Sequence, residues 1–323
     1  MLRFLVRRIL FGIIVLWVIV TAVFFLFFVA SPGDPARLFA GRQATEQTVT
    51  LVRHQLGLDQ PVHVQYGRYL KGFLQYPPNL GESFATHERV LDALIRQAPV
   101  TLSVAFGAAV IWMLIAIPIG VLAATRPRSL ADRGATIFAL AGMSLPSFVL
   151  GMIVFNLLFF IPATKWNVDL FQVSGWTPLT EDPIGWLRHL VLPWITLALL
   201  YAATYSRLTR GSLLETLGED YIRTARAKGL TERTVVYKHG LRPAITPIVT
   251  LFGLDFGALL GGTIIVEKIF GLPGIGQYAL NAVTNQDLPA IMGTVLFAAF
   301  FVVVMNIVVD IAYAFLDPRV RLT

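Results

Sequence analysis

The sequence predicts an all-α membrane protein with six transmembrane helices and both chain ends on the cytoplasmic side (N-in/C-in). Three observations carry this. The 323 residues are 56% hydrophobic and 14% charged, with mean hydropathy +0.69. A soluble domain is normally near half apolar and a quarter charged, so the composition argues against a soluble enzyme, and intrinsic disorder is excluded for most of the chain. The apolar residues are gathered into six long blocks, and crossing a bilayer core of roughly 30 Å takes about 20 such residues in a helix. The Lys and Arg residues between the blocks fall mainly on alternate sides.

The first block, 9–30, has no charge. Arg3, Arg7 and Arg8 precede it, as basic residues precede a signal peptide. The apolar run is too long for a signal, and Pro32-Gly33-Asp34-Pro35 follows without a convincing cleavage site, so a retained helix is expected. The second block lies between Arg96 and Arg126; the third follows Arg133 and reaches about 161. The fourth covers about 187–206, the fifth about 244–266 with Asp255 inside it, and the sixth about 289–313 with Asp310. Each block can satisfy its backbone hydrogen bonds internally as a helix, which lipid cannot do for it. Pro118 and Pro146 fall inside the second and third blocks; each removes a backbone donor and can kink its helix.

Orientation follows from charge. With the N-terminus inside, segments 1–8, 125–133, 207–243 and 317–323 hold 16 Lys/Arg and 6 Asp/Glu. The outer segments 31–99, 162–188 and 267–288 hold 10 Lys/Arg and 11 Asp/Glu. The 31–99 loop is too long to vote reliably, and without it the count is 16 basic residues against 3. The net charge of +7 is therefore topological. A nucleic-acid partner would require the positive charge on one folded face with stacking aromatics, a pattern not seen.

The expected organisation is an N-terminal tail and first span (1–30), an outer loop domain (31–99), a core of five spans (100–316) containing an inner segment (207–243), and a cytoplasmic tail (317–323). The outer loop carries helix-like stretches at 45–56, 66–75 and 89–97, broken by Pro61, Pro77, Pro78 and Gly81. The inner segment reads as an extension of the fourth span and a short helix stopped at Gly229. A second short helix over 231–239 follows, with Thr231 as N-cap and Gly240 as stop. Arg242-Pro243 then opens the fifth span.

Several chemistries are missing. There is no cysteine, which removes disulfides, thiolate zinc sites and cysteine nucleophiles. None of the five lysines is followed by Ser or Thr, so the chain has no phosphate-binding G-x-x-x-x-G-K-[ST] loop. The five histidines form no H-E-x-x-H pair or close metal-ligand cluster, and there is no G-x-S-x-G elbow. Gly274-Ile-Gly276-Gln-Tyr-Ala279 matches G-x-G-x-x-A, but lies in an outer loop rather than a βαβ unit, and reads as a turn.

The most informative stretch is Glu219-Asp-Tyr-Ile-Arg-Thr-Ala-Arg-Ala-Lys-Gly229. Ala225 and Gly229 are four apart, hence on one helix face, and small residues there would admit a partner's backbone. Asp220, Arg223, Arg226 and Lys228 could hydrogen-bond that partner. Two readings stand: a docking knob for a cytoplasmic protein, or a solvated amphipathic loop that satisfies the charge rule. Gly253, Gly257 and Gly261 recur every four residues along the fifth span. Such stripes let membrane helices approach closely; packing within the chain is favoured over a seam with a second subunit or a solute-lined wall. Asp255 is central in its span and could face an aqueous cavity, pair with a partner or stay protonated; Asp310 lies close to Arg319 and Arg321, which suits a paired or snorkelling role.

Taken together these residues resemble the permease subunits of bacterial ATP-binding-cassette importers, in the dipeptide/oligopeptide/nickel branch. Asp220-Tyr-Ile-Arg-Thr-Ala-Arg-Ala-Lys-Gly-Leu230, with His239, Leu241-Arg-Pro243 and Pro247, looks like that branch's EAA loop. The family glycine falls on Gly229, and Thr224-Ala225-Arg226 replaces the usual Glu-Ala-Ala start. Further matches are Ser144-Leu-Pro-Ser-Phe148, Glu267-Lys-Ile-Phe-Gly-Leu-Pro-Gly-Ile-Gly276 and Asp317-Pro-Arg-Val-Arg321. Pro32-Gly-Asp-Pro35, Leu56-Gly-Leu-Asp59, Gln65-Tyr66 and Leu80-Gly-Glu-Ser83 match in the outer loop, where Pro78-Asn-Leu-Gly81 departs from the common Gly-Asp-Leu-Gly.

The resemblance implies a type I importer permease fold in the bacterial inner membrane, and, from the long loop after the first span, the B-type subunit. It implies a C-type permease partner, two cytoplasmic ATP-binding subunits or domains, an extracytoplasmic solute-binding protein, and a peptide substrate. ATP and magnesium would be bound by the ATPase partners, with no cofactor in this chain. Residues Glu219, Asp220, Tyr221, Arg223, Thr224, Ala225, Arg226, Ala227, Lys228, Gly229 and Leu230 would form the coupling helix that the ATPases move. Nickel chelates, glutathione and oligosaccharides are the alternative cargoes. A carrier driven by an ion gradient would instead show internal repeats and broken helices around a central site. A membrane-bound enzyme would need a nucleophile–base or metal constellation.

Overall fold

A computed structural model describes residues 2–30, 34–40, 44–168, 170–260 and 263–316. These are helical nearly throughout; the isolated bridge Glu82–Arg89 is the strand-like pairing among them. Gly261, the 317–321 motif with Arg319 and Arg321, and Pro32-Gly33 lie outside the described residues.

Helix α1 (Leu2–Phe24) runs on through a π-helical stretch to Val29. Three short helices follow: α2 (Pro35–Ala40), α3 (Glu46–Leu56) and α4 (Val62–Leu74). The Thr45 side chain accepts from the Thr48 N–H to open α3, and Gly57, at φ +65°, ends it. Helix α5 (Val90–Thr125) is continuous through Pro99 and Pro118. The stretch 89–97, expected as a separate outer helix, is thus the start of the second span. Its apolar face continues into the block beyond Arg96, and nothing stops the helix between them.

The third block is two helices rather than one. Ser129 caps α6 (Leu130–Ser144), the chain breaks at Leu145–Pro146, and α7 (Ser147–Phe155) restarts. Leu145 takes the extended conformation favoured before proline (φ −89°, ψ 125°), so the expected kink is a complete interruption. A π-helical stretch leads into α8 (Ile161–Trp166). Next come α9 (Pro183–Leu217), α10 (Asp220–Ala227), α11 (Glu232–Thr234) and α12 (Leu241–Leu260). The last three are α13 (Ile264–Phe270), α14 (Ile275–Asn285) and α15 (Leu288–Leu316). Gly274 is the N-cap residue of α14, so the G-x-G-x-x-A match opens a helix after the 271–273 turn, with no strand before it.

Among the described residues six helical stretches are long and apolar enough to cross a membrane: Leu5–Val29, Val90–Thr125, Ser147–Trp166, Pro183–Leu217, Glu232–Leu260 and Leu288–Ile311. The residues group into two compact units. One contains Met1–Thr101, Gly257–Ile264 and Pro273–Ile307, so the outer helices group with the first and last spans. In it Val23, Leu288, Met292 and Leu296 form a core against which Tyr69, Phe73, Leu80 and Phe84 pack. Asp287 accepts from the Ala290 N–H (3.2 Å) to cap α15, while Ser83 Oγ (2.5 Å) and the Ala85 N–H (3.2 Å) donate to its other oxygen.

The second unit contains Leu102–Phe256, Ile265–Leu272 and Val308–Thr323. Helices α6 and α7 both lie along α9. A Cβ at Gly142 would fall on Ala203, and one at Gly151 would stand 3.6 Å from Thr196. Asp132 in the first turn of α6 pairs with Arg210 of α9 (2.5 and 3.1 Å) and accepts from the Arg128 N–H at 2.8 Å. These bonds hold its carboxyl below the usual carboxylate range.

Candidate functional site

The inner segment is built on the cytosolic ends of three spans. Val121 and Ala124 of α5, Leu213 of α9, Val236 and Ala244 form one buried cluster. Ser212 Oγ donates to the Ala244 carbonyl at 3.0 Å, tying α9 to α12. Helix α9 continues past Ser206 to Leu217, the expected extension of the fourth span. Gly240, expected as a stop, is not one. The chain passes it through a π-helical stretch (Val235–Gly240) into α12, and a Cβ there would meet Leu217 at 3.1 Å and Leu213 at 3.2 Å. The glycine serves close packing instead of termination.

Helix α10 sits on this base. Ile222 and Ala225 are buried with Val235, and Leu217 packs against them. Burying one such branched side chain stabilises by about 2 kcal/mol. The opposite face is open: Asp220, Tyr221, Arg223, Thr224, Arg226, Ala227 and Lys228 are all exposed, and Glu219 at the N-cap makes no side-chain cap bond. Partial desolvation of its ring and the nearby Glu219 carboxylate raise the Tyr221 phenol above its ordinary value. Arg226 closes the α10–α11 turn with two bonds to Glu232 (3.1 and 2.7 Å), and Thr231 accepts from the Thr234 N–H (3.4 Å) to cap α11 as expected.

The docking face expected from Ala225 and Gly229 is not formed. Ala225 points inward, and Gly229 lies beyond the helix end at φ +77°, exposed with nothing within 4 Å of a Cβ built on it. A left-handed residue ends the 3.6-residue repeat, so the four-residue spacing no longer means a shared face. Gly229 and Leu230 are exposed just past the helix, beside the Tyr221–Lys228 face. One face of this short helix is thus packed against its base and the other is open to solvent. Among the described residues no group of three His, Asp or Glu is placed to hold a metal.

In the membrane, Tyr205 donates to Asp255 at 2.9 Å. A Cβ at Gly253 would fall on Val309 of α15, whereas at Gly257 it would lie 3.5 Å from the Val302 backbone. Both glycines are buried, so the described part of the stripe faces α15 within the chain. Ser83–Asp287 and Asp132–Arg210 are among the pairings that escaped sequence reading. Each joins residues far apart in sequence; the available local signal was Asp287 just before Leu288-Pro289, an N-cap followed by a first-turn proline.

Residues 116–322 match the family described as binding-protein-dependent transport system inner membrane component, and residues 1–105 match its N-terminal companion. A peptide transport system permease protein of Brucella abortus is 40% identical over 306 residues, 94% of each chain. The glutathione transport system permease protein GsiC of Salmonella typhi is 40% identical over 321 residues, 99% of each chain. The solved inward-facing MetNI methionine ABC transporter is similar at TM-score 0.49 and 22% identity, over 72% of this chain and 96% of that one. With six apolar helices, a basic inner side and a match running nearly end to end, the chain belongs to the binding-protein-dependent transport system inner-membrane components, as a permease of the peptide/nickel branch of ATP-binding-cassette importers.

Proposed function

We propose that this chain is the B-type permease of a peptide importer, forming half of the translocation pathway beside a C-type permease. It holds no cofactor: ATP and magnesium bind to two cytoplasmic ATPase subunits or domains, which do the hydrolysis. An extracytoplasmic solute-binding protein delivers cargo to the outer loop. The observation that carries the coupling role is the mounting of α10. Its inner face is locked to α9 through Leu217, and its outer face presents Tyr221, Thr224 and Lys228 at helical spacing. A short helix so fixed transmits a push from the ATPases to the spans without absorbing it, and can switch the pathway between inward- and outward-facing states.

Cargo follows from the relatives, named for peptides and for glutathione. Glutathione is itself a short peptide, and is the second reading. Because the chain has no cysteine, a single Tyr221→Cys or Lys228→Cys variant is a clean probe. In the assembled transporter it should crosslink to an ATPase subunit in a nucleotide-dependent way. A cysteine at either position that stays freely reactive, with no crosslink in any nucleotide state, would refute the coupling role.

A further inference from the structure

Asp255 stands in a constellation that the coupling role leaves unused. Its carboxylate accepts from Tyr205 at 2.9 Å. Tyr201, one turn away on the same face of α9, stacks on Trp112 at 4.7 Å, and Trp112 also packs on Tyr205 (5.8 Å) and Phe252 (5.7 Å). Trp112 and Tyr205 have no exposed surface, whereas Tyr201, Phe252 and Asp255 are partly exposed. The buried pair therefore backs a partly exposed carboxylate with two partly exposed rings close by.

The depth of this group is set by the helices that carry it. Ala124, Leu213 and Ala244 share the cytosolic cluster. Trp112, Tyr201, Tyr205 and Asp255 lie between eight and twelve residues from them along their own helices. At 1.5 Å per residue that is about 12–18 Å, well inside a hydrocarbon core of roughly 30 Å. A partly exposed carboxylate at such depth is expensive against lipid, so its open side belongs to water or to another polar surface. Among the described residues Asp255 has no cationic partner; Tyr205 is its hydrogen-bond donor.

A carboxylate beside aromatic faces attracts cations. One carboxylate and one phenol are too few oxygens for calcium or magnesium, which take six or more ligands. An ammonium group needs only a charge, an acceptor and a ring face. We propose that Asp255, held by Tyr205, is a transient docking point for the ammonium group of the cargo, so that the pathway passes free amines in preference to N-blocked solutes. This rests on the peptide-import reading. The site does not act in coupling; it selects along the path.

The test uses the whole transporter in proteoliposomes with its solute-binding protein. One peptide is supplied with a free and with an acetylated N-terminus, each at a concentration shown by equilibrium dialysis to saturate the binding protein. The wild-type complex should move the free-amine form about tenfold faster. Asp255→Asn should bring the two rates together, Asp255→Glu should restore the difference, and Tyr205→Phe should narrow it. Assembly of each variant is checked by co-purification of the ATPase subunits. Equal rates for the two forms in the wild type would overturn the ammonium role, as would an unchanged ratio in Asp255→Asn, and the importer would remain a peptide importer. Failure of the wild type to move either form would overturn the peptide reading itself, and the site with it.

Discussion

Asp132 is a carboxylate whose surroundings favour its charged form: Arg210 forks onto it, and the Arg128 N–H adds a third bond. Its folded-state pKa is therefore depressed. A group shifted in that direction stabilises the fold above its unfolded value, about 4, and the stabilisation is lost as pH falls through the lower folded value. Asp132→Asn should consequently melt below the wild type at pH 7, with the gap closing below about pH 4. Thermal denaturation of the detergent-solubilised chain across pH would show this; a pH-independent gap would mean that packing, not charge, is lost. At Gly229 the constraint is backbone rather than charge. With φ at +77° and open space around it, Gly229→Ala should cost about 1 kcal/mol from the left-handed conformation alone. Gly229→Trp adds bulk beside the proposed coupling face, and should abolish uptake while membrane insertion, read by fractionation, stays intact.

At the scale of elements, α10 is held by one apolar contact set. Ile222 is fully buried, so Ile222→Ala should loosen the helix by about 3 kcal/mol. Limited proteolysis after Arg223 or Arg226 should then appear before any loss of the spans. If α10 is the proposed lever, the same change should uncouple ATP hydrolysis from uptake in the assembled transporter, because a slack mounting no longer transmits displacement. At the outer side, Asp287 performs two tasks with one side chain, capping α15 and pinning residues 83–85. Asp287→Asn keeps an acceptor for the cap but loses the charge that draws the Ser83 hydroxyl to 2.5 Å. Hydrogen exchange of residues 83–88 should rise while that of α15 changes little.

For the whole molecule, the decisive quantity is sidedness. The cysteine-free sequence allows each introduced thiol to report alone. A cysteine at Tyr76, almost fully exposed in the loop after α4, should react with an impermeant maleimide on intact cells. One at Tyr237 should react only after the membrane is opened. Reversal of the two would overturn the N-in reading. The purified chain on its own should give no ATP turnover, since it lacks a phosphate-binding loop.

The sequence by itself determined the number of spans, their sidedness and the place of the inner elbow. Those properties depend on local composition: apolar length, basic residues near helix ends, and capping signals such as Thr231 and Gly229 act within a few residues of where they lie. The tertiary structure decided what depends on distant neighbours. Leu145–Pro146 broke its helix while Pro118 did not, and Gly240 became a packing contact against Leu213 and Leu217 rather than a stop. Ala225 turned inward onto Ile222 and Val235, Asp255 found Tyr205, and Ser83 found Asp287 across 204 residues. Periodicity says which residues share a face, but only packing says which face is covered, because burial is a property of the neighbour and not of the residue.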